Sequence, residues 1–245
     1  MKLKILGSAS GMPTPGKNHS AVWISFFDKN ILLDCGEGVA SQLIKNHLDN
    51  ETLDAVAISH FHPDHVSGIF MLLQMFYLQN RTKPLDIFLP ERANEFQRIL
   101  DFFYVFPRKL TFKINFYRMN VVSDIYSQIK EIPNDHLESY KSFVENHNLP
   151  NQLKSYSFLI TAEKHKVFYT SDFACFDSIQ SYISTSDLVI LDAYHPSPEK
   201  TLEIIKRNNA RFILTHGLSE QLESHLQELP KNQYEIANEE LEITV

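Results

Sequence analysis

The sequence predicts an α+β fold in which two sheets pack together and carry helices on their outer faces. Short apolar strands outnumber the helices, and helices recur at intervals in both halves of the chain. No repeat, low-complexity tract or linker divides the 245 residues, so we expect a single domain over residues 1–245. An open doubly wound sheet fits the same order of elements and remains an alternative on the pattern alone.

Strands are predicted where short apolar runs are rich in β-branched and aromatic residues. Ala21–Phe26 and residues 31–33 flank the turn Asp28-Lys29-Asn30, which indicates a hairpin. A loop rich in Gly, Ser and Pro, residues 7–18, precedes this hairpin. The other predicted strands are residues 2–6, 55–58, 87–89, 110–117, 125–132, 156–161, 167–170, 188–191 and 212–214.

Helices are predicted where apolar residues recur every three or four positions. The most strongly helical segment covers residues 66–79, and its apolar run is too short to span a bilayer. We therefore interpret that run as the buried face of a helix. The full set of predicted helices is residues 39–47, 66–79, 91–103, 139–147, 175–182, Pro198–Arg207 and 219–229.

Composition argues for a cytoplasmic protein and against a general nucleic-acid binder. Thirty acidic and 23 basic residues give a net charge of −7, and no basic patch stands out. The first residues do not form a signal peptide, because their apolar run is short and a Gly/Pro-rich loop follows. Cys35 and Cys175 lie far apart and in no metal-like spacing, so we expect two reduced thiols.

One motif, His60-Phe61-His62-Pro63-Asp64-His65, places four metal-binding side chains within six residues. It directly follows the buried strand predicted at 55–58, so the backbone that presents it is anchored. Imidazole nitrogens and carboxylate oxygens suit zinc and related divalent metals. Alternate residues of extended chain point the same way, so His60 and His62 can bind one ion. Asp64 and His65 follow the bend at Pro63 and can face a second ion.

A His-x-His-x-Asp-His motif after an apolar strand resembles the signature of the metallo-β-lactamase superfamily. The segments Gly7-Ser8-Ala9-Ser10-Gly11-Met12-Pro13, Asn18-His19-Ser20 and Leu33-Asp34-Cys35-Gly36-Glu37-Gly38 resemble its ribonuclease Z-like branch, which also contains phosphodiesterases. The resemblance covers essentially the whole chain and implies a four-layer αββα sandwich. It also implies a homodimer and two divalent ions, for which zinc is expected and manganese or iron are alternatives.

The resemblance implies three further metal ligands, and each candidate stands where a predicted strand ends. His136 fits the third histidine of the first metal and is preferred to His147, whose neighbours are polar. Asp172 fits the carboxylate that bridges both metals, although capping of the following helix would also explain an aspartate there. His216 fits the last ligand of the second metal. With His60, His62, Asp64 and His65, these residues complete the expected set.

Asp64 and His195 are the expected catalytic residues. Two metals make a water acidic enough to act as a nucleophile near neutral pH, and Asp64 can accept its proton. Ribonuclease Z proteins carry a proton-donating histidine at a position that is Leu191 here, so His195 is only a substitute candidate. Asp34 is expected either to support the metal ligands from behind or to cap a turn. His19 can face the site or be solvated.

The leading functional hypothesis is a dinuclear zinc phosphodiesterase that acts on small phosphodiesters or nucleotides. The alternatives are a lactone or thioester hydrolase, a ribonuclease Z-type RNA-processing factor and a catalytically silent metal-binding protein. Processing of transfer RNA is disfavoured, because many ribonuclease Z proteins insert a long RNA-gripping arm between the third metal histidine and the bridging aspartate. Here the interval from His136 to Asp172 is short and carries no basic, glycine-rich run.

Overall fold

The computed structural model describes all 245 residues, which form two compact units. The first unit contains Met1–Val122 and Asn238–Thr244, and the second contains Ser123–Ala237 and Val245. Each unit contains one β-sheet. None of the helices combines the length and apolar character that a membrane-spanning segment needs. The expectation of a single domain over residues 1–245 stays a prediction.

Thirteen strands form the two sheets, and short helices join many of them. The strands are β1 (Lys2–Gly7), β2 (Ala21–Phe26), β3 (Lys29–Leu33), β4 (Ala55–Ala57), β5 (Leu85–Leu89), β6 (Ile114–Arg118), β7 (Ile129–Asn134), β8 (Ser155–Ala162), β9 (His165–Tyr169), β10 (Leu188–Asp192), β11 (Arg211–Thr215), β12 (Tyr234–Ile236) and β13 (Glu242–Thr244). The α-helices are α1 (Val39–Lys45), α2 (Pro63–Val66), α3 (Ile69–Leu78), α4 (Ala93–Phe102), α5 (Val122–Ile125), α6 (Lys141–Asn146), α7 (Gln180–Ser184), α8 (Pro198–Arg207) and α9 (Glu220–Leu226). Single 3₁₀ turns cover Pro107–Lys109, Met119–Val121, Glu138–Tyr140 and Phe176–Ser178.

The sheet of the first unit has the order β13-β1-β2-β3-β4-β5-β6. The strands from β13 to β3 pair antiparallel, and those from β3 to β6 pair parallel. Alternate residues of the parallel strands, such as Leu32, Val56 and Ile87, pack against α1, α3 and α4. Because β3 and β4 are parallel, their carboxyl ends lie side by side at one edge of the sheet.

The sheet of the second unit has the order β12-β11-β10-β9-β8-β7. β9 to β12 are parallel, whereas β7 and β8 pair antiparallel with their neighbours. Val189 and Phe212 pack in one core cluster with Ile205 of α8 and Leu226 of α9. Three adjacent parallel strands, β9, β10 and β11, therefore end at the same edge of this sheet, where polar side chains can meet.

Several sequence-based boundaries were wrong, for local reasons. The helix predicted at 66–79 is present as α3, which begins three residues later than predicted, at Ile69. The short helix α2 before it was not predicted; it begins at Pro63, because proline suits the first helical position. The strand predicted at 125–132 begins only at Ile129, because the helix α5 extends to Ile125. The predicted helix 175–182 is a 3₁₀ turn followed by α7.

Two strands, β12 and β13, were not predicted at all. Each has three residues, which is too few for a periodic signal. By contrast, Ala21–Phe26 and Pro198–Arg207 have the predicted bounds. The short helix predicted within 139–147 is also present, as a 3₁₀ turn and α6.

Candidate metal centre

In the first unit, the chain passes from β4 through Ser59 into the histidine motif. His60 and His65 are fully buried, and Asp64 is buried as well. His62 has an extended backbone directly before α2, whereas Asp64 and His65 lie within the first turn of that helix. The backbone therefore changes from extended to helical at Pro63, within the motif itself.

The donor atoms of the motif form two close pairs. His60 Nε2 lies 3.1 Å from His62 Nδ1, and His65 Nε2 lies 3.5 Å from Asp64 Oδ2. Ligand atoms at about 2.1 Å from a tetrahedral zinc ion are about 3.4 Å apart, so both spacings suit two ligands of one ion. The rings of His60 and His65 are adjacent, with centroids 4.1 Å apart. The motif therefore contains two close pairs of donors that lie next to each other.

Asp34 holds the motif from behind. Its Oδ1 accepts the Ser59 N–H at 2.7 Å, and its Oδ2 accepts His65 Nδ1 at 2.8 Å and Ser59 Oγ at 2.9 Å. Because Ser59 donates its hydroxyl proton to Asp34, the 3.0 Å contact between Ser59 Oγ and His60 Nδ1 is donated by the imidazole. Both rings are then protonated on Nδ1 and offer the Nε2 lone pair, which is the form that ligates a metal.

The second unit gathers its polar side chains at the ends of neighbouring strands. His136 Nε2 lies 3.5 Å from Asp172 Oδ2, and His216 Nδ1 lies 3.5 Å from the other oxygen, Asp172 Oδ1. One carboxylate thus has a different histidine at each oxygen, as a bridging ligand requires. Its backbone is fixed by Asn134, whose side-chain amide donates 3.0 Å to the Asp172 carbonyl.

Asp192, at the end of β10, was missed by the sequence analysis. It is fully buried; its Oδ2 accepts His195 Nδ1 at 2.8 Å, and its Oδ1 lies 3.3 Å from His216 Nδ1. Burial acts to raise the pKa of Asp192, but hydrogen bonds from His195 and His216 outweigh it and hold the pKa below its usual value. The sequence contained one indication of this role: Asp192 is an acidic residue at the end of an apolar strand, and Asp34 has the same position after β3.

His195 and His147, two further histidines considered from the sequence, have different surroundings. His195 is partly exposed, with Nδ1 held by Asp192 and Nε2 3.7 Å from Asp172 Oδ2. Asp172, Asp192 and His195 form one group of possible metal ligands. The ring of His136 contacts that of His195, so His136 belongs to the same cluster. His147 is exposed on the turn after α6 and contacts the carbonyl of Phe143, which agrees with the preference for His136.

Three of the eleven non-glycine residues with positive φ lie among or beside the candidate ligands. Asp34, Ser171 and His216 have positive φ values of 59°, 49° and 67°, although none is glycine. A left-handed conformation costs a non-glycine residue about 1–3 kcal/mol, and such strain concentrates at functional sites. Each of these residues lies within two positions of a strand end, so the strain turns the chain sharply at the strand terminus.

Neither cysteine belongs to the candidate ligand set. Cys35 is fully buried, and burial together with the charge of Asp34 raises the pKa of its thiol, which keeps it protonated. Cys175 is exposed, and both thiols are free. The donors are thus imidazoles and carboxylates only, a set that fits zinc and also accepts manganese or iron.

The structure brings the four motif residues together in the first unit, and His136, Asp172, His195 and His216 together in the second. These are all of the residues predicted as metal ligands or catalytic groups. Two features fit a metal-binding role in each unit. Donor atoms lie 3.1–3.5 Å apart, and a buried carboxylate, Asp34 or Asp192, holds the Nδ1 of a histidine.

Comparison with known proteins relates the chain to one family and one fold. The family model described as Anti-Pycsar protein Apyc1 matches residues 1–198. Ribonuclease Z of Methanococcus aeolicus is 31% identical over 165 residues, which cover 67% of this chain and 48% of that protein. The chain thus matches about half the length of this relative.

Solved structures of low identity show the fold. The metallo-β-lactamase fold protein YhfI from Bacillus subtilis superposes with a TM-score of 0.74 at 22% identity and covers 99% of this chain and 98% of its own. A diphosphatase from the PhnP family superposes with a TM-score of 0.70 at 16% identity and covers 100% of this chain and 97% of its own. The predicted α+β metallo-β-lactamase fold is therefore confirmed. The chain belongs to the Anti-Pycsar protein Apyc1 family, and it has the metallo-β-lactamase fold.

Proposed function

We propose that this protein is a metal-dependent hydrolase with a dinuclear zinc centre, and that it acts on small phosphodiesters or nucleotides. The observation that carries the proposal is the pairing of donor atoms at 3.1–3.5 Å within each unit, which is the spacing of two ligands on one ion. Family membership supports it, since the chain matches the Apyc1 model over residues 1–198.

In this proposal, His60, His62 and His136 would hold one ion, and Asp64, His65 and His216 would hold the other. Asp172 would serve both ions, because its two oxygens face two different histidines of its own unit. Such a pair of ions supplies charge that lowers the pKa of water and stabilises negative charge on substrate oxygens. Manganese or iron would fit the same donors.

The chain's own residues supply the proton transfers. Asp64 would accept the proton of the attacking water, since a carboxylate is basic; its Oδ2 lies 3.5 Å from His65 Nε2. His195 donates a proton to the leaving group from Nε2. Asp192 holds the opposite ring nitrogen at 2.8 Å and so orients the imidazole. His195 is partly exposed, as a group that meets substrate must be.

Phosphodiesters suit this chemistry because their transition states spread charge over several oxygens. The relatives support the same class, since their names include ribonuclease Z and a PhnP-family diphosphatase. A small substrate is favoured over RNA because the net charge is −7 and phosphate contacts depend on Lys and Arg. A lactone or thioester hydrolase remains the alternative within enzymes. We also propose that the protein is cytoplasmic and forms a homodimer. Light scattering of the purified protein would test the homodimer.

A substrate screen with metal analysis tests the function. The zinc-loaded protein is offered bis(p-nitrophenyl) phosphate, a lactone and a thioester, and Asp172→Ala is compared with Asp177→Ala. Asp177 is an exposed carboxylate five positions along the chain. We expect fastest cleavage of the phosphodiester, loss of it in Asp172→Ala and normal rates in Asp177→Ala. Faster cleavage of the lactone or thioester would replace the proposed substrate class, and equal rates in both variants would remove Asp172 from the site.

A further inference from the structure

The loop between β1 and β2 is closed at its neck by backbone hydrogen bonds. The N–H groups of Ser8 and Ala9 both donate to the Asn18 carbonyl at 2.9 Å, and Ala9 forms a bridge with His19. Residues 11–16, at the tip, are exposed. The position of this tip therefore depends on what holds the neck.

A carboxylate from the far end of the chain binds this neck. Glu239 is buried, and its Oε1 accepts the Asn18 N–H at 3.1 Å and Ser8 Oγ at 3.3 Å. The segment that carries Glu239 is anchored in the sheet, because β13 pairs with β1 and the Ile5 N–H donates to the Leu241 carbonyl at 3.1 Å. Hydrogen bonds to a buried carboxylate are among the stronger ones in proteins.

The loop held in this way lies against Asp64. A Cβ built on Gly11 would lie 3.6 Å from Asp64 Oδ2 and 3.8 Å from Asp64 Oδ1. The backbone at Gly11 is thus the part of the loop next to that carboxylate. The neck also contacts the segment after β3, since the His19 N–H donates to the Glu37 carbonyl and Gly36 N–H to that of Ser20. A shift of the neck would move the wall beside Asp64.

We propose that Glu239 is a positioning residue that holds the loop Ser8–Asn18 against Asp64 and thereby sets the space in which substrate meets that carboxylate. The second part of this inference rests on the proposed function, in which Asp64 takes part in hydrolysis. Glu239 lies beyond residues 1–198, so the C-terminal segment contributes to the site from outside the region that the family model matches.

Three variants test the role of Glu239. Glu239→Ala removes the acceptor, whereas Glu239→Gln keeps Oε1 and can still accept from Asn18 and Ser8. Glu242→Ala is the matched control, because Glu242 lies on the same segment but makes only an exposed ion pair with Lys4 at 3.5 Å. The measurements are amide hydrogen exchange of residues 8–19, metal content, and kcat and KM with bis(p-nitrophenyl) phosphate.

We expect exchange in residues 8–19 to be about tenfold faster in Glu239→Ala, with kcat/KM per metal-loaded chain about tenfold lower. Metal content should stay at the wild-type level, Glu239→Gln should restore both quantities, and Glu242→Ala should match the wild type. Unchanged loop exchange in Glu239→Ala would overturn the inference, as would faster exchange with an unaltered kcat/KM. If the wild type cleaves no phosphodiester, the proposed function fails, and the exchange comparison still decides whether Glu239 holds the loop.

Discussion

At the scale of single residues, Asp34 and Asp192 have equivalent surroundings in the two units. Each is a fully buried carboxylate at the carboxyl end of a strand, and each accepts a hydrogen bond from the Nδ1 of a histidine. A buried carboxylate fixes the tautomer and the direction of the ring it holds. The histidines His65 and His195 therefore depend on residues that do not themselves have to touch substrate or metal.

The first residue-scale prediction concerns Asp64. Asp64→Asn keeps the size of the side chain but removes its charge and basicity, so turnover should fall by about 100-fold or more while the fold persists. Steady-state kinetics and circular dichroism measure the two effects. Asp101→Asn, an exposed position on α4 of the same unit, should have wild-type activity. A near-normal rate in Asp64→Asn would exclude Asp64 from the reaction.

The second residue-scale prediction concerns Asp192. Asp192→Asn keeps an acceptor oxygen but loses the charge that His195 and His216 contact, so activity should drop about 10–100-fold. His195→Gln should lower kcat and leave metal content unchanged, because in the proposed function His195 donates a proton to the leaving group and holds no ion. His165→Gln, a histidine on β9 away from these contacts, is the control. If kcat survives in His195→Gln, the proton donor is another group.

At the scale of elements, the metal motif is held by close approach of three backbone segments. The Cys35 N–H donates to the His65 carbonyl at 2.8 Å, and the Gly68 N–H donates to the Cys35 carbonyl at 2.9 Å. A Cβ on Gly36 would lie 2.3 Å from the Asp64 carbonyl oxygen, so only glycine fits there. The helix α2 is therefore fixed by its packing on the segment after β3, since four residues alone make a weak helix.

The element-scale prediction tests this close approach at Gly68. A Cβ there would lie 1.9 Å from the Gly36 carbonyl oxygen, so Gly68→Ala should displace α2, lower metal content and destabilise the unit by about 1–3 kcal/mol. Urea unfolding and elemental analysis report these effects. Gly16→Ala is the control, because Gly16 has a φ of 79° but no atom within 4 Å of its Cβ. It should cost about 1 kcal/mol in backbone strain and leave the metal content unchanged.

At the scale of the whole molecule, the ligand set is divided between the two units. His60, His62, Asp64 and His65 belong to the first, whereas His136, Asp172 and His216 belong to the second. Substitution of a predicted ligand in either unit should therefore lower the metal content that elemental analysis measures.

Metal stoichiometry is the first whole-molecule prediction. Elemental analysis should find about two divalent ions per chain, because seven donors match a two-metal site. Asp172→Ala should lower occupancy of both ions, and His216→Ala should mainly lower occupancy of the second. His225→Ala, on α9, is the control. A protein that never binds more than one ion, even with metal in excess, would contradict the dinuclear proposal.

The second whole-molecule prediction is that precursor transfer RNA is a poor substrate. Between His136 and Asp172 the structure contains a 3₁₀ turn, the six-residue helix α6 and the strands β8 and β9. No long arm is present there to hold RNA, and the chain carries a net charge of −7. Removal of the 3′ trailer from a precursor by the zinc-loaded protein measures this activity. Efficient, site-specific cleavage at low enzyme concentration would show that RNA is bound by another surface.

The sequence by itself predicted the superfamily, the α+β fold class and the residues from which the candidate site is built. This was possible because the motif from His60 to His65 is local, and because the resemblance to the superfamily implied three further ligands, for which His136, Asp172 and His216 stand at predicted strand ends. The family model shows the family, and the similarity to YhfI confirms the fold. The metal ligands themselves stay a prediction that metal analysis must test.

Only the tertiary structure revealed Asp192, the glycine contacts at Gly36 and Gly68, and the neck formed with Glu239. Asp192 meets His216 across 24 positions, and Glu239 meets Ser8 across 231. No periodicity or motif encodes such pairs, because they arise when strands distant in sequence become neighbours in a sheet. Local pattern therefore identified the donors of the candidate site, whereas packing between distant segments determined which groups hold those donors in place.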